Sequence, residues 1–357
     1  MNKAGNGNFF EDFSLAQTLV HGTPRTVGEG DQALYLALTG ARHVLPSARS
    51  VAHALGYPDR PLDDLLVFHI AFGKTVPDIS LNAVANLGYA DVRFLAPVYA
   101  GDTLKAESTV IGLKQNSNGK SGIVWVRSTA LNQNDQEVLT WIRWVMVHKR
   151  VADTPAPEPV TPAVPDFVSV ERLALPACLD AHRYETEISG GPWLWDDYAV
   201  GERIDHPAGM TLDETDHTLA TRLYQNNARL HFDAFMMAGS PYGRRLVYGG
   251  HVISVCRAQS FEGLENVLTI AAFNGGVHCN PTFAGDTLYT WSEVRDKWSI
   301  PGRDDLGALR LRMVGLKNLP AGQLADSHVE TDGQRKYHPN VVLDLDYTVL
   351  IPRRTAA

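Results

Sequence analysis

The stretch PVYAGDTL, Pro97 to Leu104, returns almost unchanged as PTFAGDTL, Pro281 to Leu288, at an offset of 184 residues. A second pair of segments extends the repeat. TVGEGDQALYLALTGARHVLP, from Thr26, lies on TLDETDHTLATRLYQNNARLH, from Thr211, at an offset of 185. The two anchors agree to within one residue, so the chain reads as two copies of one fold. In each copy an Asp, Asp31 or Asp216, precedes apolar residues at helical spacing, Leu34 and Leu38 or Leu219 and Leu223, which predicts an opening helix.

Between the copies, VADTPAPEPVTPAVPDFV, Val151 to Val168, carries five prolines. Proline fixes φ and removes a backbone donor, so this stretch fits neither a helix interior nor a sheet centre and is read as an extended linker. The expected organisation is a first domain over 1–150, a linker over 151–168 and a second domain over 169–357.

A second helix is expected in each copy, from about Leu65 to Gly73 and from about Gly250 to Phe261. After it the hydrophobic period changes to two. ADVRFLAPVYAGDTLKAESTVIGL, SGIVWVRSTALN and EVLTWIRWVMVHK follow in the first copy, separated by the turn groups AGD, NSNG and NQND. LTIAAFNGGVHCNPTFAGDTLYTWSEVRD, GALRLRMVGLKN and VVLDLDYTVLIP follow in the second. Helices first and antiparallel strands afterwards make an α+β unit. The repeated AGDT is a tight turn, its Gly supplying positive φ and its Asp bonding nearby backbone.

At 357 residues the chain can bury two ordinary cores. A net charge of −8, with no basic run, makes nucleic acid an unexpected partner. No stretch approaches the roughly 20 apolar residues of a membrane span. The opening MNKAGNGNFFEDF lacks the form of a secretory signal, so a cytoplasmic location is expected. Cys178, Cys256 and Cys279 have no C-x-x-C spacing, so reduced thiols are expected rather than disulfides or a zinc site.

With two helices followed by an antiparallel sheet, twice, and a [FY]-A-G-D-T-L turn, the chain resembles the MaoC-like double-hotdog enoyl-CoA hydratases. Each half is then expected to be a long helix wrapped by a sheet. Within that group RLYQNNARLHFD, GRRLVYGGHVIS and DKWSIPGRDDLGALRLR most resemble the mesaconyl-CoA hydratases, also described as β-methylmalyl-CoA dehydratases. The resemblance implies reversible hydration of mesaconyl-CoA to (2R,3S)-β-methylmalyl-CoA. It also implies an acyl-CoA substrate, no metal, and no cofactor beyond the coenzyme A of that substrate. Hotdog sheets commonly pair edge to edge, so a homodimer is possible.

MaoC-like hydratases carry a G-D-x-N-P-x-H-x-D segment whose first Asp and His face a water. Laid on QNNARLHFD, Gln225 stands for the Gly, Asn226 for the catalytic Asp, Ala228 for the Asn and Arg229 for the Pro. His231 and Asp233 match outright. Imidazole suits a proton taken from water and returned near neutral pH. An amide at Asn226 can orient that water but cannot exchange a proton, which implies a one-base mechanism on His231. Asp233 is read as a cap, and PGRDDLG, Pro301 to Gly307, as a loop.

In LVYGGHVISVCRA, Gly249 and Gly250 open a helix. Unpaired N–H groups at the positive end of the dipole can there hold a thioester oxygen, with the glycines letting substrate approach. His251 could face that substrate or pack inward. Cations for the phosphates and for a second carboxylate are sought in Arg229, Arg244 and Arg245.

The first copy has Ala41 opposite Asn226, Pro46 opposite His231, and LLVFHI, without glycine, where the second has YGGHVI. Residues needed only for folding would persist in both copies, so one active site is expected, in the second half. The first half serves as scaffold and as part of the acyl-CoA cleft. Two other readings stay open, a hotdog thioesterase and a non-catalytic acyl-CoA binding module.

Overall fold

The computed structural model describes residues 5, 7–331 and 333–354. Part of the N-terminal segment read for a leader lies outside the described residues. The strands are β1 (Thr18–Val20), β2 (Arg25–Thr26), β3 (Ala83–Phe94), β4 (Thr103–Gln115), β5 (Ser121–Leu131), β6 (Glu137–His148), β7 (Arg203–Thr211), β8 (Thr269–His278), β9 (Thr287–Ser299), β10 (Leu306–Lys317), β11 (His328–Thr331), β12 (Gln334–Tyr337) and β13 (Val341–Pro352). The helices are α1 (Glu29–Thr39), α2 (Val44–Ser47), α3 (Arg49–Ala54), α4 (Asp64–Thr75), α5 (Glu214–Leu223), α6 (Ala234–Ala238) and α7 (Gly249–Gln259).

One 11-stranded sheet runs through both copies in the order β1-β4-β5-β6-β3-β8-β13-β10-β9-β7, with β2 beside β4. The order of the first copy, 4-5-6-3, returns reversed as 8-13-10-9. At the seam β3 pairs with β8, Tyr89 facing Gly276 and Val92 facing Phe273. Adding the AGDTL offset of 184 to Tyr89 and Val92 gives Phe273 and Gly276, so each pair maps onto the other and a pseudo-two-fold axis passes between them. Among the described residues the second copy alone has a hairpin, β11–β12, between its last two long strands.

Both AGDT turns form as the sequence requires. Gly101 and Gly285 have φ of 102° and 90°. Asp102 Oδ2 accepts from the Tyr99 N–H at 2.8 Å, and Asp286 Oδ2 from the Phe283 N–H at 2.9 Å. Residues 151–168 hold no helix or strand and touch the sheet through an isolated bridge between Leu113 and Val160.

The opening helices predicted by Asp31 and Asp216 are α1 and α5. Behind them lie α4 and α7, shorter than the long helices expected, at 12 and 11 residues. Every residue of α4 from Leu65 on is buried, as is every residue of α7 from Gly250 on, which is why neither segment has a polar stripe. Phe68 of α4 packs edge to face on Tyr89, Trp141 and Phe273, at 5.9, 6.1 and 5.3 Å between ring centroids. This cluster ties the first central helix to strands of both copies. Such aromatic pairs each add about 0.5–1.5 kcal/mol beyond their buried area.

Candidate active site

After α5 the chain reverses sharply. Gln225 takes a positive φ of 54°, and Asn226 Oδ1 accepts from the Ala228 N–H at 3.0 Å. The turn is pressed on α4 from the first copy, where a Cβ on Gly73 would stand 2.0 Å from the Tyr224 carbonyl oxygen. Asn226 is buried there. Its carbonyl is committed to the turn, which leaves its NH2 group as the part that can meet a water.

One helical turn, Arg229–His231, follows. It is stapled to the strand-like segment before α7 by the Leu246 N–H donating to the Leu230 carbonyl at 3.1 Å. His231 Nδ1 completes the staple by donating to the Leu246 carbonyl at 2.9 Å. A carbonyl can only accept, so this bond places the proton on Nδ1 and a lone pair on Nε2. Nε2 has no hydrogen-bond partner among the described residues. His231 is 7% exposed and lies edge to face against Tyr248, 5.6 Å between centroids. Burial pushes its pKa down to about 4, helped by His217 and opposed by the Leu246 bond. The ring is therefore neutral, a base and not an acid, at physiological pH.

Tyr248 is the N-cap of α7. In the first turn the N–H groups of Gly249 and Gly250 have no intrahelical acceptor, whereas that of His251 donates to the Tyr248 carbonyl at 2.9 Å. The glycine pair is more closely packed than its sequence suggests. A Cβ on Gly249 would lie 2.5–2.7 Å from ring atoms of His278, and one on Gly250 would lie 2.4 Å from the Tyr248 ring and 2.7 Å from His69. The room that glycine provides is used by these rings, so any thioester approaches between them.

His251 packs inward, buried, with Nδ1 unpaired. Of the three arginines sought as cation donors, two are at the surface and one is in an ion pair. Arg229 is exposed, and Arg244 is exposed and lies over the Phe283 ring at 4.0 Å. Arg245 is held by an ion pair to Glu214 and donates to the Phe232 carbonyl at 3.3 Å. Asp233 caps α6, accepting from the Met236 N–H at 2.8 Å.

The structure supplies neighbours that no local pattern announced. Tyr89 of β3 bonds His278 Nε2 through its hydroxyl at 3.2 Å. Arg143 of β6, opposite Tyr89 in the ladder, is wholly buried. His217 of α5 is buried with both ring nitrogens unpaired, 3.7 Å from Glu214. Tyr89, Arg143 and His69 come from the first copy, so both halves build the wall around the α7 N-terminus. An interior Arg in an otherwise apolar strand, TWIRWVMV, is the one signal that could have drawn attention to Arg143.

The equivalent place in the first copy is filled by the chain itself. Asp63 caps α4 by accepting from the Leu65 N–H at 2.9 Å. Asp64 Oδ2 accepts from Thr269 Oγ1 and the Ile270 N–H, each at 2.8 Å. Burial and the neighbouring Asp63 push the Asp64 carboxyl up to about 7. At the positive end of the helix Asp63 stands where the second copy has Tyr248, and Asp64 where it has Gly249, a register two residues from the LLVFHI–YGGHVI pairing read from the sequence.

Among the described residues one group, Asp180, His182 and Asp305, brings three possible metal ligands together. Arg303 already makes two charged hydrogen bonds to Asp305, at 2.6 and 2.7 Å, so a cation is present there in the form of a side chain.

Residues 1–160 match the mesaconyl-CoA hydratase family model. Over 352 residues the chain is 56% identical to the β-methylmalyl-CoA dehydratase of Chloroflexus aurantiacus, covering 99% of each. It is 53% identical over 353 residues to the mesaconyl-CoA hydratase of Cereibacter sphaeroides, covering 98% of this chain and 100% of that one. Among solved structures, a MaoC domain protein dehydratase from Chloroflexus aurantiacus superposes with a TM-score of 0.96 at 55% identity, covering 99% and 100% of the two chains. A Mycobacterium tuberculosis protein with a double hotdog fold superposes with a TM-score of 0.72 at 24% identity, covering 98% and 99%, a likeness of fold.

Proposed function

The chain belongs to the mesaconyl-CoA hydratase family, and on that premise we propose that it reversibly hydrates mesaconyl-CoA to (2R,3S)-β-methylmalyl-CoA as a hydro-lyase. The coenzyme A of the substrate is the one nucleotide the reaction uses. The observation that carries the site assignment is the neutral ring of His231, its Nδ1–H tied to Leu246 and its Nε2 free, beside the N-cap of α7.

In the hydration direction a water attacks Cβ of the enoyl thioester while His231 Nε2 takes one of its protons. Asn226 Nδ2 orients that water. The electron pair of the C=C bond moves toward the thioester, and the resulting enolate oxygen lies at the free N–H groups of Gly249 and Gly250. The imidazolium then returns its proton to Cα, which balances the reaction with a single base. A ring whose pKa is depressed to about 4 is a strong proton donor once charged, and the adjacent enolate offsets the cost of charging it. Dehydration retraces these steps.

Two readouts on one sample test this reading. Loss of the conjugated enoyl-thioester absorbance without release of free thiol is the expected result. Thiol appearing in step with the absorbance change would make the protein a thioesterase, and binding without either change would make it an acyl-CoA binding module.

A further inference from the structure

Arg143 is 0% exposed, and among the described residues it forms no ion pair. Its Nη2 donates to Thr75 Oγ1 at 2.8 Å, its Nη1 reaches Ser80 Oγ at 3.4 Å, and its Nε has no partner. The guanidinium lies over the Phe72 ring at 4.2 Å. An isolated buried cation costs several kcal/mol unless something compensates it. Hydroxyls, one ring and the C-terminal end of α4 compensate it in part. The contrast with Arg257, another buried arginine, is direct. The charge of Arg257 is felt by the carboxylates of Asp63 and Asp64, whereas the groups that feel Arg143 are the phenols of Tyr89 and Tyr248.

Those phenols define where the cation sits. Tyr248 is the N-cap of α7 and touches His231, and its hydroxyl is buried and unpaired. It packs against Phe72, 6.1 Å between centroids, on whose face Arg143 lies. Tyr89, across the ladder from Arg143, bonds the His278 ring that covers Gly249. A buried guanidinium N–H and a buried phenol hydroxyl, both without a partner, thus belong to side chains that pack on the one Phe72 ring, next to the N-cap of α7.

We propose that Arg143, assisted by the Tyr248 hydroxyl, receives the free carboxylate of a dicarboxylic acyl-CoA and so selects this substrate class over monocarboxylic enoyl-CoAs. The inference rests on the hydratase reading and deepens it. In mesaconyl-CoA the carboxylate is attached to Cβ, the carbon that water attacks, and its negative charge opposes that attack. A guanidinium on it removes the opposition, so Arg143 acts on both binding and rate. Neither Arg229, Arg244 nor Arg245 is placed to do this, the first two being exposed and the third engaged by Glu214.

The test compares two thioesters on wild type and on Arg143→Met: mesaconyl-CoA, and 2-methylcrotonyl-CoA, in which a methyl replaces the carboxylate. The expected result is a loss of about 100-fold or more in kcat/KM for mesaconyl-CoA, the size typical of truncating a buried charge pair. The 2-methylcrotonyl-CoA value stays within about threefold of wild type, and Arg143→Lys recovers part of the loss for mesaconyl-CoA alone. A parallel fall for both substrates, or no fall for mesaconyl-CoA, overturns the assignment. Should the variants not fold, a crystal of the wild type with the saturated methylsuccinyl-CoA decides it. Its free carboxylate at hydrogen-bond distance from Arg143 supports the proposal, and the carboxylate anywhere else overturns it. Wild type that hydrates neither thioester defeats the hydratase reading, while the same crystal still decides where the carboxylate binds.

Discussion

His69 Nε2 and Ser254 Oγ share a hydrogen bond of 2.9 Å, and the two residues are 185 positions apart in the chain. That separation is the offset at which the two copies align, so the bond joins equivalent positions of α4 and α7 across the pseudo-two-fold. The copies have diverged where they meet. One contributes an imidazole and the other a hydroxyl, and the His69 ring continues from there to Tyr224 and Tyr248.

Replacing His231 by Ala is expected to lower kcat by about 10²–10⁴-fold, the usual contribution of a positioned acid/base. KM for the acyl-CoA changes little, because the ring meets the water and not the thioester. Steady-state kinetics with mesaconyl-CoA check this, and a variant that keeps more than half of the wild-type kcat removes His231 from the mechanism.

The acid limb of kcat/KM reports the base form of His231. Protonation abolishes it, and with the free-enzyme pKa lowered to about 4 activity should hold from neutral pH down to about 5 before falling. A pH–rate profile with a midpoint near 6.5 would mean that the ring is solvated in the working enzyme.

Stability should fall on the same side. His206, His231, His251 and His278 are each depressed to about 4 by burial, against about 6.5 in the unfolded chain. Between those values the unfolded chain holds more protons, so their contribution is complete above the unfolded value and is lost as pH falls through the folded one. Asp64, raised to about 7, and Asp63, also raised by burial, act in the opposite sense: their contribution is complete below the unfolded carboxyl value of about 4 and is lost as pH rises from there through the folded value. These four histidines, with His43, His69 and His217 lowered by burial in the same direction, outweigh the two raised carboxylates and give a urea midpoint lower at pH 5 than at pH 7.5. A midpoint unchanged between those pH values contradicts the burial of neutral imidazoles.

Gly249→Ala would force a Cβ to within 2.5–2.7 Å of His278. Overpacking of this kind costs about 1–3 kcal/mol, and displacing the ring also disturbs the first turn of α7. The expected outcome is a lower thermal midpoint together with a loss of kcat. By contrast, Asp64→Asn in the first copy keeps an acceptor for Thr269 and Ile270 while removing a buried charge. It should leave kcat/KM within about twofold and raise the urea midpoint at pH 8, above the carboxyl's folded pKa. A large loss of turnover in Asp64→Asn would mean that the first copy takes part in the chemistry.

Much of this architecture was legible in the primary structure. Repeated turns with a glycine at positive φ, strands of period two and two helices without a polar stripe are local requirements, and they fix where the chain turns and which segments are buried. The duplication was legible because two anchors gave nearly one offset. The first copy's lack of the motif residues was legible too, with Pro46 where the second copy has His231 and no glycine in the segment laid on the Gly249–Gly250 pair. Membership of the family follows from identity along the whole chain.

The site itself was legible only where it is local. His231 and the Gly pair are 18 residues apart at their nearest, and a staple through Leu246 brings them together. Arg143, Tyr89 and His69 lie 88, 142 and 162 residues before His231, and only the pairing of β3 with β8 and the contact of α4 with α7 carry them to it. Local pattern records what each residue needs from its immediate neighbours in the chain. Which buried cation is left without an anion, and which ring fills the space over a glycine, are decided by packing between distant segments and exist only once the sheet has closed.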